Sequence, residues 1–308
     1  MTLDLSSNYL AEIEAFATEL AAHSGEILWR LFPNPLRASE DLNVRFKDSQ
    51  KRDPVTRADN EVQDYLVSKI KTAYPDHGVL GEEGEIEDEL VPDVVWVLDP
   101  LDGTRNFMYG FPVFACSIGV LYKGIPVCGA IFLPWPGVTP GLLIHASKGN
   151  GIKINQINIP SIEKILDGKA IITIPGSFPD MFRFDPVFAK QSGEPRLSGS
   201  IAYEMSMVAM GITQFAVISG GKLWDIAGAF AILSESGCQY RWLNNMADIN
   251  HPIPIVDWNL PKVFYRDLLV SIPSLVVAPK NMIDSVAEGI TKKSLTPGGV
   301  VKSFFRFW

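Results

Sequence analysis

Val94-Val-Trp-Val-Leu98-Asp99-Pro-Leu-Asp102-Gly-Thr104-Arg-Asn-Phe107 is the stretch from which the rest of the chain is read. Its first five residues are apolar and rich in valine, which predicts a short buried strand because branched side chains fit a pleated surface. The strand runs straight into two aspartates, a proline and Gly-Thr, so carboxylates crowd its C-terminal end. Taking carboxylates out of water together costs free energy unless they share protons, pair with bases or hold cations. Asp-Pro-x-Asp-Gly-Thr is too specific a spacing to read as a plain turn. An EF-hand loop does not fit, since counting from Asp99 gives no glycine at the sixth position and no glutamate at the twelfth.

Two further acidic groups stand out on either side of this stretch: Gly81-Glu82-Glu83-Gly84, and Leu223-Trp224-Asp225 at the start of an apolar helical run. Each has an ordinary reading when taken alone. Glu82 and Glu83 begin an acidic run continued by Glu85, Glu87, Asp88 and Glu89, the mark of a solvated turn. Asp225 suits a helix first turn, where the dipole favours negative charge. Taken together with Asp99 and Asp102 they make an oxygen-only donor set without histidine or cysteine, which favours a hard cation such as Mg2+.

Outward from these groups, a long amphipathic helix is predicted over about residues 8–32 and ends near Pro33. Arg37 to Pro54 is polar with no apolar period and reads as a long exposed loop, a length that usually signals function. Thr56 then caps a second amphipathic helix, with Asp59 in capping-box position on its first turn and a stop at Tyr74-Pro75. Phe114 to Tyr122, Ile125 to Leu133 and Leu142 to Ser147 read as strands of a largely antiparallel sheet. Beyond Ile159 the elements alternate: a strand at Ala170 to Ile174, a helix near Ile201 to Met210, a strand at Gln214 to Ile218 and a helix from Trp224 to Ser236. The 308 residues therefore divide into two lobes, with the boundary expected near residues 155–165.

The composition, 47% hydrophobic and 20% charged, is that of a folded protein. A net charge of −8 disfavours a broad grip on nucleic acid or on an anionic membrane, so a phosphate-bearing partner needs local cations. Cys116, Cys128 and Cys238 lack metal or disulfide spacing and read as buried free thiols of a cytoplasmic protein. No signal peptide is visible, and the apolar stretch from Phe111 to Pro136 is broken by Lys123, Gly124, Pro126 and Pro134, so no membrane span is expected.

With these residues in place, the chain resembles the inositol monophosphatase family, in the superfamily that also holds fructose bisphosphatases and bisphosphate nucleotidases. Lys47 to Thr56, Asp59, Gly81-Glu82-Glu83, Trp96 to Phe107, Gly199-Ser200 and Trp224-Asp-Ile-Ala227 carry the resemblance, in the family's order, over roughly residues 45–280. It implies an α+β, layered α-β-α-β-α sugar-phosphatase fold, with a lobe of residues 1–160 carrying most ligands and a lobe of residues 161–308 completing the site. It implies Mg2+-dependent hydrolysis of a small phosphorylated polyol or sugar by metal-activated water, lithium sensitivity and a homodimer. By position, Glu82, Asp99, Asp102, Asp225 and the Leu101 carbonyl would be metal ligands, and Asp59, Thr104 and Glu82 would be the catalytic groups around the attacking water. Asp102, Gly103, Thr104, Gly199 and Ser200 would contact phosphate and substrate, and Lys47 and Asp53 would belong to a lid.

The chain departs from the family's pattern where specificity is set. Ala216 to Lys222 has no glutamate where inositol-specific members place an acceptor for a ring hydroxyl, and Ile201 stands where a small residue is common. Gly237-Cys238 and Gln239 to Trp242 replace a Gly-Gly pair and a later aspartate. A fructose bisphosphatase, a phosphoadenosine phosphate nucleotidase or a histidinol phosphatase therefore stays open, as does a catalytically silent metabolite-binding or scaffold protein. His77 and His145 read as surface or hydrogen-bonded loop histidines, Met205, Met207 and Met210 as packing, and Lys51-Arg52 as a solvated pair. The aromatic end, Phe304-Phe-Arg-Phe-Trp308, is expected to dock on this chain or on a partner subunit.

Overall fold

Leu10, Ile13, Ala17, Leu20, Ala21 and Leu28 recur at helical spacing and are buried along one face of helix α1 (Ser7–Leu31), which Ser6 caps by accepting the Tyr9 N–H. Helix α2 (Arg57–Ala73) starts at the expected capping box: the Thr56 hydroxyl accepts from the Ala58 N–H, and the Asp59 carboxylate accepts from the Thr56 N–H. The structure is a computed structural model, and it describes residues 5–33, 42–47, 54–83, 90–243, 268 and 271–293. Asp53, the Lys51-Arg52 pair and the aromatic end lie outside the described residues. Of the expected loop over residues 37–54, residues 42–47 and 54 are described. There β1 (Arg45–Phe46) and β2 (Pro54–Val55) pair as an antiparallel ribbon, where the sequence offers too little apolar period to announce a strand.

Among the described residues a seven-stranded sheet runs β3 (Gly78–Gly81), β4 (Val94–Asp102), β5 (Ala115–Tyr122), β6 (Ile125–Leu133), β7 (Leu142–Ser147), β8 (Ile152–Ile154) and β9 (Ile157–Asn158). It is antiparallel except for the β3–β4 pair. A five-stranded sheet has the order β12 (Glu194–Arg196), β10 (Ile171–Thr173), β13 (Ala216–Ile218), β15 (Leu275–Pro279) and β14 (Cys238–Trp242). A small ribbon pairs β11 (Phe182–Phe184) with β16 (Ile290–Lys292). Helices α1 and α2 cover one face of the larger sheet, and α3 (Thr104–Met108) follows β4 directly. Helices α5 (Ile201–Ala209) and α6 (Leu223–Ser236) fill the space between the sheets, while α4 (Phe178–Met181) and α7 (Ile283–Glu288) cover the far face of the smaller one. The result is the α-β-α-β-α layering that the resemblance implies.

Two local features position the site. Strand β4 runs further than the apolar residues predict, through Asp99 to Asp102, because it carries a bulge. Asp99 lies opposite Ser117 and Asp102 opposite Ala115, so β4 holds one residue more than its partner across that interval. In a regular strand their odd spacing would send the two aspartates to opposite faces, and the bulge turns both to one side. Pro100 sits within the bulge, where its missing N–H costs no ladder bond. The second feature is a bare contact between α6 and the sheet. A Cβ on Gly129 would lie 2.1 Å from the Gly228 carbonyl oxygen, and a Cβ on Gly119 would lie 2.6 Å from the Gly228 nitrogen. Only glycine allows helix and sheet backbones so close.

His145 corrects the sequence reading. It is neither exposed nor in a loop but buried on β7, with Nδ1 2.7 Å from Glu14 of α1. Glu14 also accepts from Ser147 at 2.5 Å and Lys153 at 2.7 Å, so one buried carboxylate ties α1 to the sheet. No apolar periodicity could reveal this tie, because the partners are far apart in sequence. His77 does follow expectation, in the turn after α2 and bonded to Tyr9 and Trp96. The three cysteines are free and buried, and Met205 and Met207 pack in the core.

Burial alone would raise the pKa of Glu14, but hydrogen bonds from His145, Lys153 and Ser147 and the Lys153 charge bring it down to about 2. A carboxylate whose folded pKa is lowered contributes stability above its unfolded pKa and loses it as pH falls toward the folded value. The urea midpoint is therefore expected to drop between about pH 5 and about pH 2.5, and Glu14→Gln should flatten that limb. The same change should cost about 2 kcal/mol at neutral pH, less than a fully buried pair because Lys153 is partly exposed. Gly129→Ala should lower the unfolding free energy too, by about 1–3 kcal/mol, because α6 must move.

Candidate active site

The candidate ligands converge from four elements. Asp99 and Asp102 come from the bulged end of β4, Asp225 from the first turn of α6, and Glu82 from the residue after β3, where its N–H donates to the Leu98 carbonyl at 3.0 Å. One carboxylate oxygen each from Asp99, Asp102 and Asp225 lie within 4.8 Å of one another. The contact of α6 on Gly119 and Gly129 holds Asp225 in that set, since Gly228 lies one turn further along the helix.

Hydrogen bonds within the protein engage one oxygen of each of the three aspartates. Asp99 Oδ1 accepts from the Leu101 N–H at 3.0 Å. Asp102 Oδ2 accepts from the Ser200 hydroxyl at 2.8 Å and the Ala202 N–H at 2.5 Å. Asp225 Oδ2 accepts from the Lys222 N–H at 2.5 Å. Asp99 Oδ2 is buried without a hydrogen-bond partner. Buried polar groups are nearly always paired, so a lone carboxylate oxygen facing other carboxylates fits a cation better than it fits this protein alone.

Electrostatics point the same way. Burial, then the charges of Glu82, Asp102 and Asp225, hold the Asp99 carboxyl well above the usual carboxylate range. Burial and Asp225 do the same to Asp102, against hydrogen bonds from Ser200 and Ala202 that pull it down. Burial pushes Asp225 up to about 6. The donor set is all oxygen, and no histidine or cysteine belongs to it.

Beside this cluster, Thr104 Oγ1 donates to Asp59 Oδ1 at 3.0 Å and lies 3.0 Å from the Leu101 carbonyl oxygen. Thr56 holds the other oxygen of Asp59 through its N–H at 2.8 Å and its hydroxyl at 2.5 Å. Burial raises the Asp59 pKa to about 6 in spite of these bonds. Gly103 takes the left-handed conformation, φ +94°, which turns the chain from β4 into α3. Its side is closed by Ser200, whose Cβ would stand 3.2 Å from a Cβ at that position. Lys47, the one described residue of the expected lid, sets its ammonium 2.9 Å from Glu82 and 2.6 Å from Glu83. Burial lowers the lysine pKa, but the two glutamates outweigh it and raise it. Glu83 is pushed up to about 7 by burial, against the pull of Lys47.

Several positioning residues escaped the sequence reading. Asn106 donates both amide protons, to the Val113 carbonyl at 2.6 Å and the Ser198 carbonyl at 2.7 Å, and so ties α3 to the loop before α5. Glu204 accepts from the Ser198 hydroxyl at 2.8 Å and the Ser198 N–H at 3.1 Å, which shapes Gly199-Ser200. The available signal was a lone acid inside an apolar helix. Next to Asp102 and Asp225 opens a cavity of about 330 Å³, walled by α5, β13 and the segment after β10.

The acidic cluster could hold a metal ion, and comparison with known proteins supplies the class, a phosphatase acting on phosphomonoesters, and the family. A sequence model of the inositol monophosphatase family matches residues 9–261, and the chain belongs to that family. It is 30% identical to inositol monophosphatase 1 of Saccharomyces cerevisiae over 77% of this chain and 82% of the yeast chain. It is 32% identical to the Nus factor SuhB of Xylella fastidiosa over 72% of this chain and 79% of that one. Among solved structures it superposes on an IMPase of Thermotoga maritima with a TM-score of 0.68 and 22% identity, covering 95% of this chain and 99% of the other.

The raised carboxylates give a signed expectation for the metal-free protein. Groups whose folded pKa lies above the unfolded one add stability below the ordinary carboxylate range and lose it as pH rises through the folded value, here about 6 for Asp59 and Asp225 and about 7 for Glu83. In the presence of a chelator, melting should fall as pH rises from about 5 to about 8, and added Mg2+ should reverse the fall. Asp99→Asn keeps the bond to Leu101 but removes a charge. It should melt about 2–4 °C higher than wild type when metal-free at about pH 8, and should lose the response to Mg2+.

Proposed function

We propose that the chain is a Mg2+-dependent phosphatase of a small phosphorylated metabolite the size of a polyol or sugar, with inositol monophosphate as the reference substrate. The observation that carries this reading is the unpartnered Asp99 Oδ2 within the oxygen-only cluster of Asp99, Asp102 and Asp225. Glu82 and the Leu101 carbonyl complete the ligand set that the family resemblance assigns. Mg2+ fits these donors, and when bound it supplies charge neutralisation for phosphate oxygens and acidification of water.

The chain's own residues do the rest. Asp59, fixed by Thr56, takes the Thr104 hydroxyl proton as a hydrogen bond, which leaves a Thr104 lone pair to accept from an incoming water and align it. With a pKa of about 6, Asp59 is mostly ionised at neutral pH and can hold Thr104 in that orientation. The Gly103 and Thr104 amides, at the turn from β4 into α3, suit phosphate oxygens. Ser200 orients Asp102 by donating to it. Lys47 neutralises Glu82 and Glu83 at the mouth of the site and belongs with Asp53 to the proposed lid. An anionic protein can thus act on an anion, because the positive charge comes with the cation.

The family resemblance supports lithium inhibition and a homodimer as parts of the same reading, and the free, buried thiols support a reducing cytoplasm. Among the described residues no helix is long and apolar enough to cross a membrane.

Phosphate release should be measured with and without Mg2+ on inositol monophosphate, fructose bisphosphate, phosphoadenosine phosphate and histidinol phosphate, with Asp99→Asn as the blank. Release that requires Mg2+ and vanishes in the blank is expected. Asp59→Asn and Thr104→Ala should lower kcat by about 10²–10⁴ with little change in KM, because they act on the attacking water and not on substrate binding. No release from any of the four, with Mg2+ binding intact, would favour a catalytically silent binding protein.

A further inference from the structure

The cavity beside the cluster is lined by apolar side chains where a sugar or polyol would need partners. Ile174, Leu197 and Ile201 supply its apolar wall, while Val217 and Ile218 are buried and present little surface to it. Ile218, in the stretch that lacks the glutamate of inositol-specific members, is buried in β13 and offers the cavity no acceptor. Ile201 opens α5, directly after Ser200. Its Cδ1 lies 2.9 Å from the place a Cβ on Gly221 would take, and Asp225 Oδ2 lies 3.1 Å from the same point. The bare backbone of Gly221 therefore lets Ile201 reach to the edge of the carboxylate cluster, and an apolar wall meets the reacting end of the pocket.

The polar side chains on the lining are already engaged. Ser200 donates to Asp102. Ser219 shares a hydrogen bond of 3.0 Å with Ser274. Glu204 accepts from the hydroxyl and the N–H of Ser198. Asp102 and Asp225 belong to the cluster. Among the described lining residues there is no lysine or arginine to receive a second phosphate. A ring bearing a hydroxyl on every carbon would bury several of them against Ile, Leu and Val without partners, and each unpaired hydroxyl is expensive.

Resting on the phosphatase reading above, we propose that the substrate is the monophosphate of a compact alcohol with an apolar face, that Ile201 selects it against fully hydroxylated rings, and that the cation-free lining disfavours bisphosphates. The reaction is ordinary hydrolysis: water adds to phosphorus, the ester P–O bond breaks, and the alcohol leaves with a proton.

Cyclohexyl phosphate and inositol 1-phosphate share ring size and differ in hydroxyls, so their kcat/KM ratio in the full chain with Mg2+ reads the wall directly. The ratio is expected to favour cyclohexyl phosphate by about tenfold or more, and Ile201→Ala should shrink it by about tenfold. Calorimetry with cyclohexylphosphonate, which has no ester to cleave, against inositol 1-phosphate gives a second reading independent of turnover. Turnover with equal or inverted preference overturns the selectivity and leaves the phosphatase. No turnover, with tighter binding of the phosphonate that Ile201→Ala weakens, overturns the phosphatase reading and leaves the apolar pocket. Equal binding without turnover overturns both.

Discussion

Mutual repulsion among Glu82, Asp99, Asp102 and Asp225 is the constraint around which this molecule is arranged. Left to themselves, these carboxylates would separate or take up protons, and burial raises the pKa of the three aspartates. What holds them is packing energy collected elsewhere. Asp99 and Asp102 are fixed by a bulge in a strand flanked on both sides, and Asp225 by a helix whose backbone touches the sheet at Gly119 and Gly129. Neither anchor can yield much, because the interior around them is densely packed. A cluster strained in this way could hold a cation, because the protein cannot relax the strain by moving.

The layered order explains how residues so far apart in sequence share one site. The core between the two sheets takes in residues from Leu80 to Val277, so α5 and α6 contact both sheets at once. Asp102 from the larger sheet thereby meets Ser200 and Ala202 at the start of α5, and the cavity opens between α5 and the smaller sheet. The ligand cluster and the pocket wall consequently rest on one packed unit. Ile201, which borders both, lies one residue from Ser200 and against Gly221.

Much of this was legible in the chain, and for identifiable reasons. The apolar period of α1, the capping box at Thr56 and Asp59, and the valine-rich start of β4 are local signals that the structure repeats almost residue for residue. The site motifs were legible because each is a short run of chemistry at a strand or helix end. The ribbon of β1 and β2, the burial of His145 and the roles of Asn106 and Glu204 were not. Each depends on a partner distant in sequence: Glu14 for His145, and the Ser198 carbonyl for Asn106. Glu204 lies near its partner Ser198, yet its bond matters only because that loop abuts Asp102.

The sequence by itself determined the longer elements, the family resemblance and the list of acids, because periodicity, capping and motif spacing are properties of a few adjacent residues. Only the tertiary structure decided that Asp99 and Asp102 face the same way, that a buried oxygen of Asp99 lacks a hydrogen-bond partner, and that Ile201 walls the cavity beside them. The reason is physical. The direction of a side chain after a bulge, the satisfaction of a buried oxygen and the lining of a pocket are set by which backbones approach closely in space, and glycine at positions 119, 129, 221 and 228 permits approaches that no local pattern announces.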